Sequence, residues 1–407
     1  MSTLSIFFAF SFVLLPLNAQ ESTMEDRLFE HETNGVKVQI FLPGEIETYR
    51  GLLLHVANYR MNPPNRWSEL ARELDFGHVV MSMNMSRNNR PRILREALIA
   101  SLPVFAETAG HPEIAHLPLV PLGHSAGGMG MNVMANLPDR MLTSAIDCSW
   151  VGNSEQLADL KHIPLLFTLG AIPDGFNMIP AIEERFEPAR ADGFLYGLGF
   201  EWDKAHTFAN AGTLFAQWIK SVAVLRLPEE IVPGEAIPLV HMNEEQGWLG
   251  DRDTWDTTFA TIAPWDEYTG DKSSAVWLPD RATAYVWRAY QTRTSPVHLT
   301  ATTADGQASL GEFRPRREFQ LMADIGRDIT LGVSFDPETT TLKRVIFYQG
   351  DQRLGEVTEA PWQWTWSAPP QGAHAVFARY ETADETPGST NPGLLILRKP
   401  AEIISPK

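Results

Sequence analysis

Leu119-Val120-Pro121-Leu122-Gly123-His124-Ser125-Ala126-Gly127-Gly128 is a short apolar run ending in a serine with glycines two positions to either side. Leu119, Val120 and Leu122 supply a strand, and residues 129–137 supply a helix that Pro138 ends. A serine at such a strand-to-helix corner is the nucleophile-elbow pattern. The spacing has a chemical reason. The corner must be sharp enough to strain its own backbone, and side chains at positions 123 and 127 would collide with the strand and helix that it joins. That geometry lifts the Ser125 hydroxyl into a cleft and aims the backbone N–H of Ala126 at the same point. Pro118 and Pro121 each remove a ladder donor, so the regular part of this strand is expected to be short.

The flanks alternate between strands and helices. Residues 36–42 alternate in polarity and close at Pro43-Gly44, as a strand ending in a turn does. Residues 51–56 form a continuous apolar run around His55, which suits a strand covered on both faces. Trp67, Leu70, Ala71 and Leu74 fall at helical spacing. Strands are predicted at 78–83, 142–146, 163–169 and 194–200, with helices over 93–106, kinked at Pro103, and 207–225. This order implies a parallel sheet with helices on both faces.

The order and the elbow together resemble the α/β-hydrolase superfamily over residues 30–225, and within it secreted esterases of the feruloyl esterase and polyester depolymerase kind. The resemblance implies a triad in the chain order Ser, Asp, His. Ser125 is the nucleophile. Asp174 stands four residues past Gly170, and His206 lies in Ala205-His206-Thr207-Phe208 after the last strand. His206 would take the serine proton, and Asp174 would hold the imidazole in the right tautomer. The oxyanion needs two aimed donors, of which Ala126 N–H is one. If His55-Val56-Ala57 occupies the place of the family's His-Gly-x, Ala57 N–H is the other. Val56 stands where glycine is usual, however, so Asn58 stays open. Pro173-Asp174-Gly175 is also an ordinary turn tripeptide, which leaves Asp147 as a rival acid. His124 is read as packing or lining the pocket, and His31, His111, His116, His162 and His241 as surface or loop residues. The stretch between Asp174 and His206 holds one helix and one strand, with no lid insertion. An open cleft suits a bulky or polymer-borne ester.

The chain's 407 residues carry a net charge of −17, which disfavours nucleic acid and anionic membrane surfaces as partners. Residues 6–17 are apolar with only Ser11 and Pro16 as interruptions. That run is too short for a membrane span and suits a signal peptide over 1–19, hence a secreted protein. Cys148 is the only cysteine, so no internal disulfide is possible, and it reads as a small buried residue. No histidines pair at metal-ligand spacing, and neither a metal nor a cofactor is expected.

The hydrolase unit is expected over 20–226, followed at 227–295 by a Trp-rich, acidic segment that docks what comes next. From 296 to 399, short alternating runs between turn signals predict an all-β sandwich that resembles bacterial Ig-like domains of extracellular enzymes, with a tail at 400–407. Trp362, Trp364 and Trp366 share one strand face; an aromatic row serves either as a sugar platform or as core, and the core reading is preferred. The sandwich is expected to be separable from the chemistry. The fold class is therefore a doubly wound, mostly parallel α/β-hydrolase sheet followed by an Ig-like sandwich. The expected function is a secreted serine carboxylic-ester hydrolase acting on carbohydrate- or phenolic-polymer esters. A serine peptidase of the same fold and a catalytically silent Ig-like binding protein are the alternatives.

Overall fold

The computed structural model describes residues 25–57, 61–82, 90–149, 158–172, 179–232, 234–255, 259–293, 295–306, 309–310 and 320–399. The expected signal peptide and tail, Asn58 and Asp174 lie outside them.

Eight strands make the first sheet: β1 (Arg27–Thr33), β2 (Val36–Leu42), β3 (Gly51–Ala57), β4 (Phe76–Ser82), β5 (Leu119–His124), β6 (Ser144–Asp147), β7 (Leu165–Gly170) and β8 (Tyr196–Glu201). Their spatial order is β1-β2-β4-β3-β5-β6-β7-β8. β2 runs antiparallel to β1 and β4, and all other neighbours are parallel. The β1–β2 hairpin turns on Asn34 and Gly35, both with positive φ (54° and 70°), the backbone that an Asn-Gly pair tolerates best. β5 keeps Pro121 inside a central strand. The missing N–H costs one ladder donor, while the Pro121 carbonyl accepts from Ser144 Oγ at 3.1 Å.

The helices are α1 (Arg66–Glu73), α2 (Arg90–Ala109), α3 (Met129–Met134), α4 (Ile179–Ala191) and α5 (Ala211–Arg226). α2 continues past Pro103 as one element. Asn65 starts α1 by accepting from the backbone of Trp67 and Ser68 at 2.9 and 3.1 Å. The chain steps from β3 to β4 on one side and then returns to β5 on the other. The order therefore reverses at β3/β5, and a crevice opens there beyond the carboxyl ends of the strands.

The Trp-rich segment folds into a small sheet of β9 (Trp248–Gly250), β10 (Ile262–Pro264) and β11 (Val276–Leu278), then α6 (Arg281–Tyr290). Trp277 and Trp287 are fully buried, and Trp287 Nε1 donates to the β8 carbonyl of Leu198 at 2.7 Å. These tryptophans wall off the β8 side of the eight-stranded sheet.

The C-terminal strands are β12 (Val297–Thr303), β13 (Ser309–Leu310), β14 (Gln320–Asp324), β15 (Ile329–Phe335), β16 (Leu342–Gln349), β17 (Gln352–Val357), β18 (Gln363–Trp366), β19 (Gly372–Thr382), β20 (Pro387–Ser389) and β21 (Gly393–Arg398). They form two sheets, β13-β12-β15-β18 and β14-β21-β19-β16-β17, with β20 beside β19. Leu299, Leu331, Phe347, Val376 and Leu395 are among the side chains filling the space between them. Trp362, Trp364 and Trp366 pack partly buried against this core, and Trp364 lies against Gly355.

The expected separability does not describe the packing. Val376 and Ala378 of β19 face the sandwich core, whereas Ala373, Ala375 and Phe377 join the same core as the eight-stranded sheet. β21 divides likewise, with Leu394 and Ile396 on the side of the eight-stranded sheet. Glu73 of α1 accepts from Ala373 N at 2.8 Å and forms an ion pair with Lys220 of α5, whose Nζ also donates to Ala373 O at 3.0 Å. A strand buried on both faces belongs to two cores at once.

Candidate active site

Ser125 sits between the end of β5 and the first turn leading into α3, with φ at 53°. A non-glycine residue in this left-handed region carries strain of the order of ~1–3 kcal/mol, held by its surroundings. The turn is so tight that a Cβ on Gly123 would lie 2.8 Å from the Gly127 backbone, which accounts for the first glycine of the motif. Ala126 is exposed in that turn, and Ala57 ends β3 half-buried.

His206 lies half-buried in the loop between β8 and α5, its ring centroid 4.8 Å from that of His124. The loop after β7, which leads to Asp174, is laced to the His206 loop. Ala171 N donates to Glu201 O at 2.9 Å, and Ile172 N to Lys204 O at 2.8 Å. A Cβ on Gly170 would lie 2.0 Å from Ala205 O, so the two loops meet at backbone distance there. The elements expected to carry the acid and the base therefore adjoin beside the elbow.

Asp147, the rival acid, has another partner. It is buried at the end of β6, its Oδ2 is 2.6 Å from His124 Nδ1, and its Oδ1 accepts from Thr168 Oγ1 at 2.7 Å. His124, Asp147 and Thr168 are register partners on β5, β6 and β7, so a polar row crosses the sheet at its carboxyl end. The sequence shows a polar residue near the end of each of these three strands, but only the register aligns them. Cys148 follows Asp147, and one donor atom each of His124, Asp147 and Cys148 lie within 4.8 Å of one another. Burial and the Asp147 carboxylate push the Cys148 thiol up to about 12, so on its own it is a neutral thiol at neutral pH.

A cleft of about 340 Å³ opens beside the elbow, lined by His55, Asn62, Asn65, Arg66, Trp67, Gly123, His124 and Phe208. It lies at the β3/β5 reversal. The Arg66 guanidinium stands 5.3 Å from the ring centres of both Trp67 and Phe208. There His55 Nδ1 meets His78 Nε2 at 2.9 Å in a buried pair that sequence reading passed over. Asn65 serves twice, capping α1 and lining the cleft.

Residues 323–378 match the bacterial Ig domain family. No curated protein matches the chain in sequence. Solved structures similar to it include a cold-adapted esterase from an Arctic intertidal metagenomic library (17% identity, TM-score 0.29, 45% of this chain and 85% of that one). A dienelactone hydrolase from Anabaena variabilis is 16% identical (TM-score 0.33, 47% and 94%). Fibronectin(III)-like modules of Clostridium thermocellum CbhA are 20% identical (TM-score 0.19, 25% and 99%). The α/β-hydrolase architecture of the N-terminal part is carried by the strand order and the corner at Ser125.

Proposed function

We propose that this chain is a secreted serine carboxylic-ester hydrolase. The observation that supports it most is the left-handed backbone of Ser125, at a strand-to-helix corner, next to a cleft at the sheet's reversal point. In this reading the Ser125 oxygen attacks the ester carbonyl while His206 takes its proton and then delivers it to the leaving alcohol. Asp174 holds the His206 imidazole and stabilises its charged form. The backbone N–H groups of Ala126 and Ala57 receive the oxyanion. Water then hydrolyses the acyl-serine through the same groups in reverse.

The cleft lining supports an ester on a carbohydrate or phenolic polymer. Trp67 and Phe208 offer ring faces, and Asn62, Asn65 and Arg66 offer hydrogen bonds. The reading is tested with a chromogenic acetate ester and a fluorophosphonate probe on wild type and Ser125→Ala. Wild type is expected to turn over the ester and to take one probe per chain. The variant is expected to do neither, with turnover lower by at least three orders of magnitude and an almost unchanged melting temperature. A variant retaining a tenth of wild-type turnover overturns the assignment. A wild type inert to both reagents favours a binding protein.

A further inference from the structure

We infer that the C-terminal sandwich and α6 together hold the loop that carries His206, with Asn210 as the positioning residue that joins them. The inference rests on the proposed role of His206. Residues 202–210 connect β8 to α5, and both ends of this connection are tied to segments outside the hydrolase sheet.

At the entry, Phe200 N donates to Gln291 Oε1 at 2.7 Å and Trp202 Nε1 donates to Gln291 O at 2.8 Å. Gln291 is fully buried and caps the end of α6. At the exit, Asn210 N donates to the Glu201 carboxylate at 2.9 and 3.1 Å, closing the loop on itself. The Asn210 side chain does two further things. Its Oδ1 accepts from Thr213 Oγ1 at 2.7 Å, and its Nδ2 donates to the carbonyl of Pro392 at 2.5 Å. Asn210 and Glu201 are both buried, so each of these bonds is made away from competing water.

Pro392 belongs to the turn between β20 and β21, and that turn is itself fixed. Asn391 Nδ2 donates to Thr292 O at 3.0 Å, just past α6. Thr390 is held to β19 by paired bonds with Ala378, at 2.9 Å from its N–H and 3.0 Å to its hydroxyl. The short turn of Thr390, Asn391 and Pro392 is thus hydrogen-bonded to β19 at one end, to the end of α6 in the middle and to Asn210, four residues beyond His206 in sequence, at the other. The sandwich is in this view a support for the base, not a detachable targeting device.

The test uses the full-length chain with Asn210→Ala, Asn391→Ala and Thr213→Val. Asn391→Ala loosens the turn while leaving the start of α5 untouched, and it serves if Asn210→Ala does not fold. Thr213→Val removes one bond to Asn210 but keeps the link to Pro392. The readouts are kcat and KM on a small soluble ester, and amide hydrogen exchange in the peptide spanning 202–210. Asn210→Ala is expected to lower kcat at least tenfold and Asn391→Ala at least threefold. Both should leave KM within twofold and speed exchange in that peptide, whereas Thr213→Val leaves kcat within twofold. Wild-type exchange rates at 202–210 in the first two variants overturn the inference, whether or not the chain is an esterase. Unchanged kcat in both does so for an active enzyme. Failure of the esterase reading shows separately, as a wild type inert to ester and probe.

Discussion

Ser125 and Asp147 illustrate how much one position can be asked to do. The serine adopts an unfavourable backbone at the corner after β5, where the approach of Gly123 to the Gly127 backbone keeps the turn tight. Asp147 is deeply buried with both oxygens engaged, one to His124 and one to Thr168. Its carboxylate therefore orients the ring that packs on His206, and its loss should cost stability first. Asp147→Asn is expected to lower the melting temperature and reduce kcat by tens of fold. Asp174→Asn should lower kcat by about four orders of magnitude with little change in melting, because the amide favours the wrong histidine tautomer. Steady-state kinetics and thermal melts of both variants check this, and a larger kcat loss at Asp147 would transfer the acid's role to it. The candidate nucleophile was legible because its pattern is local, six residues around a turn. The partner of Asp147 was not, since it depends on the register between β5 and β6.

Among the elements, legibility followed hydrophobic contrast. The strands buried on both faces stood out as apolar runs. β1 did not, because Leu28 lies among its outward positions with Glu30 and Glu32, and its inward ones, Arg27, Phe29, His31 and Thr33, are mixed in polarity and only partly covered; the Asn34-Gly35 pair was the available sign of its hairpin. The short strands of the Trp-rich segment, three residues each, are below the length at which periodicity speaks. β3 and β4 have a consequence of their own. Their parallel register pairs Leu53 with His78, which sets His55 and His78 on one face within hydrogen-bonding reach. Burial holds the His78 imidazole down at about 3, and burial together with the charges of His78 and Arg66 holds His55 well below its ordinary value. Both rings are neutral in the folded chain, while in the unfolded chain they take up protons near pH ~6.5. The depressed folded values mean that stability is complete above pH ~6.5 and falls as pH drops below it, since only the unfolded chain takes up these protons; for His78 the loss continues toward pH 3. Melting temperatures between pH 7 and 4 should therefore fall less steeply for His78→Gln than for wild type, after allowing for its lower starting point. Parallel curves would count against the pair.

At the scale of the whole molecule, the hydrolase sheet, the Trp-rich segment and one face of the sandwich share a single apolar core. Alternation in the sequence revealed the sandwich but gave no sign of its second contact face. Ala373 and Phe377 belong to that second face, which the helices α1 and α5 cover. The shared core predicts a single unfolding transition. Calorimetry and near-ultraviolet circular dichroism should give coincident midpoints, and the calorimetric and van't Hoff enthalpies should agree. Two resolved transitions would show that the sandwich melts on its own.

The double burial of β19 also bears on ancestry. Ig-like units are readily shuffled between genes when a linker is all that joins them to their neighbours. Here a recombination event at the boundary would have to bring a strand with suitable side chains on both faces, together with a turn presenting a carbonyl where Pro392 presents one. A foreign sandwich would meet the helices α1 and α5 with the wrong surface. The two halves of this chain are consequently bound to descend as a pair, and a substitution in one will be judged by the other.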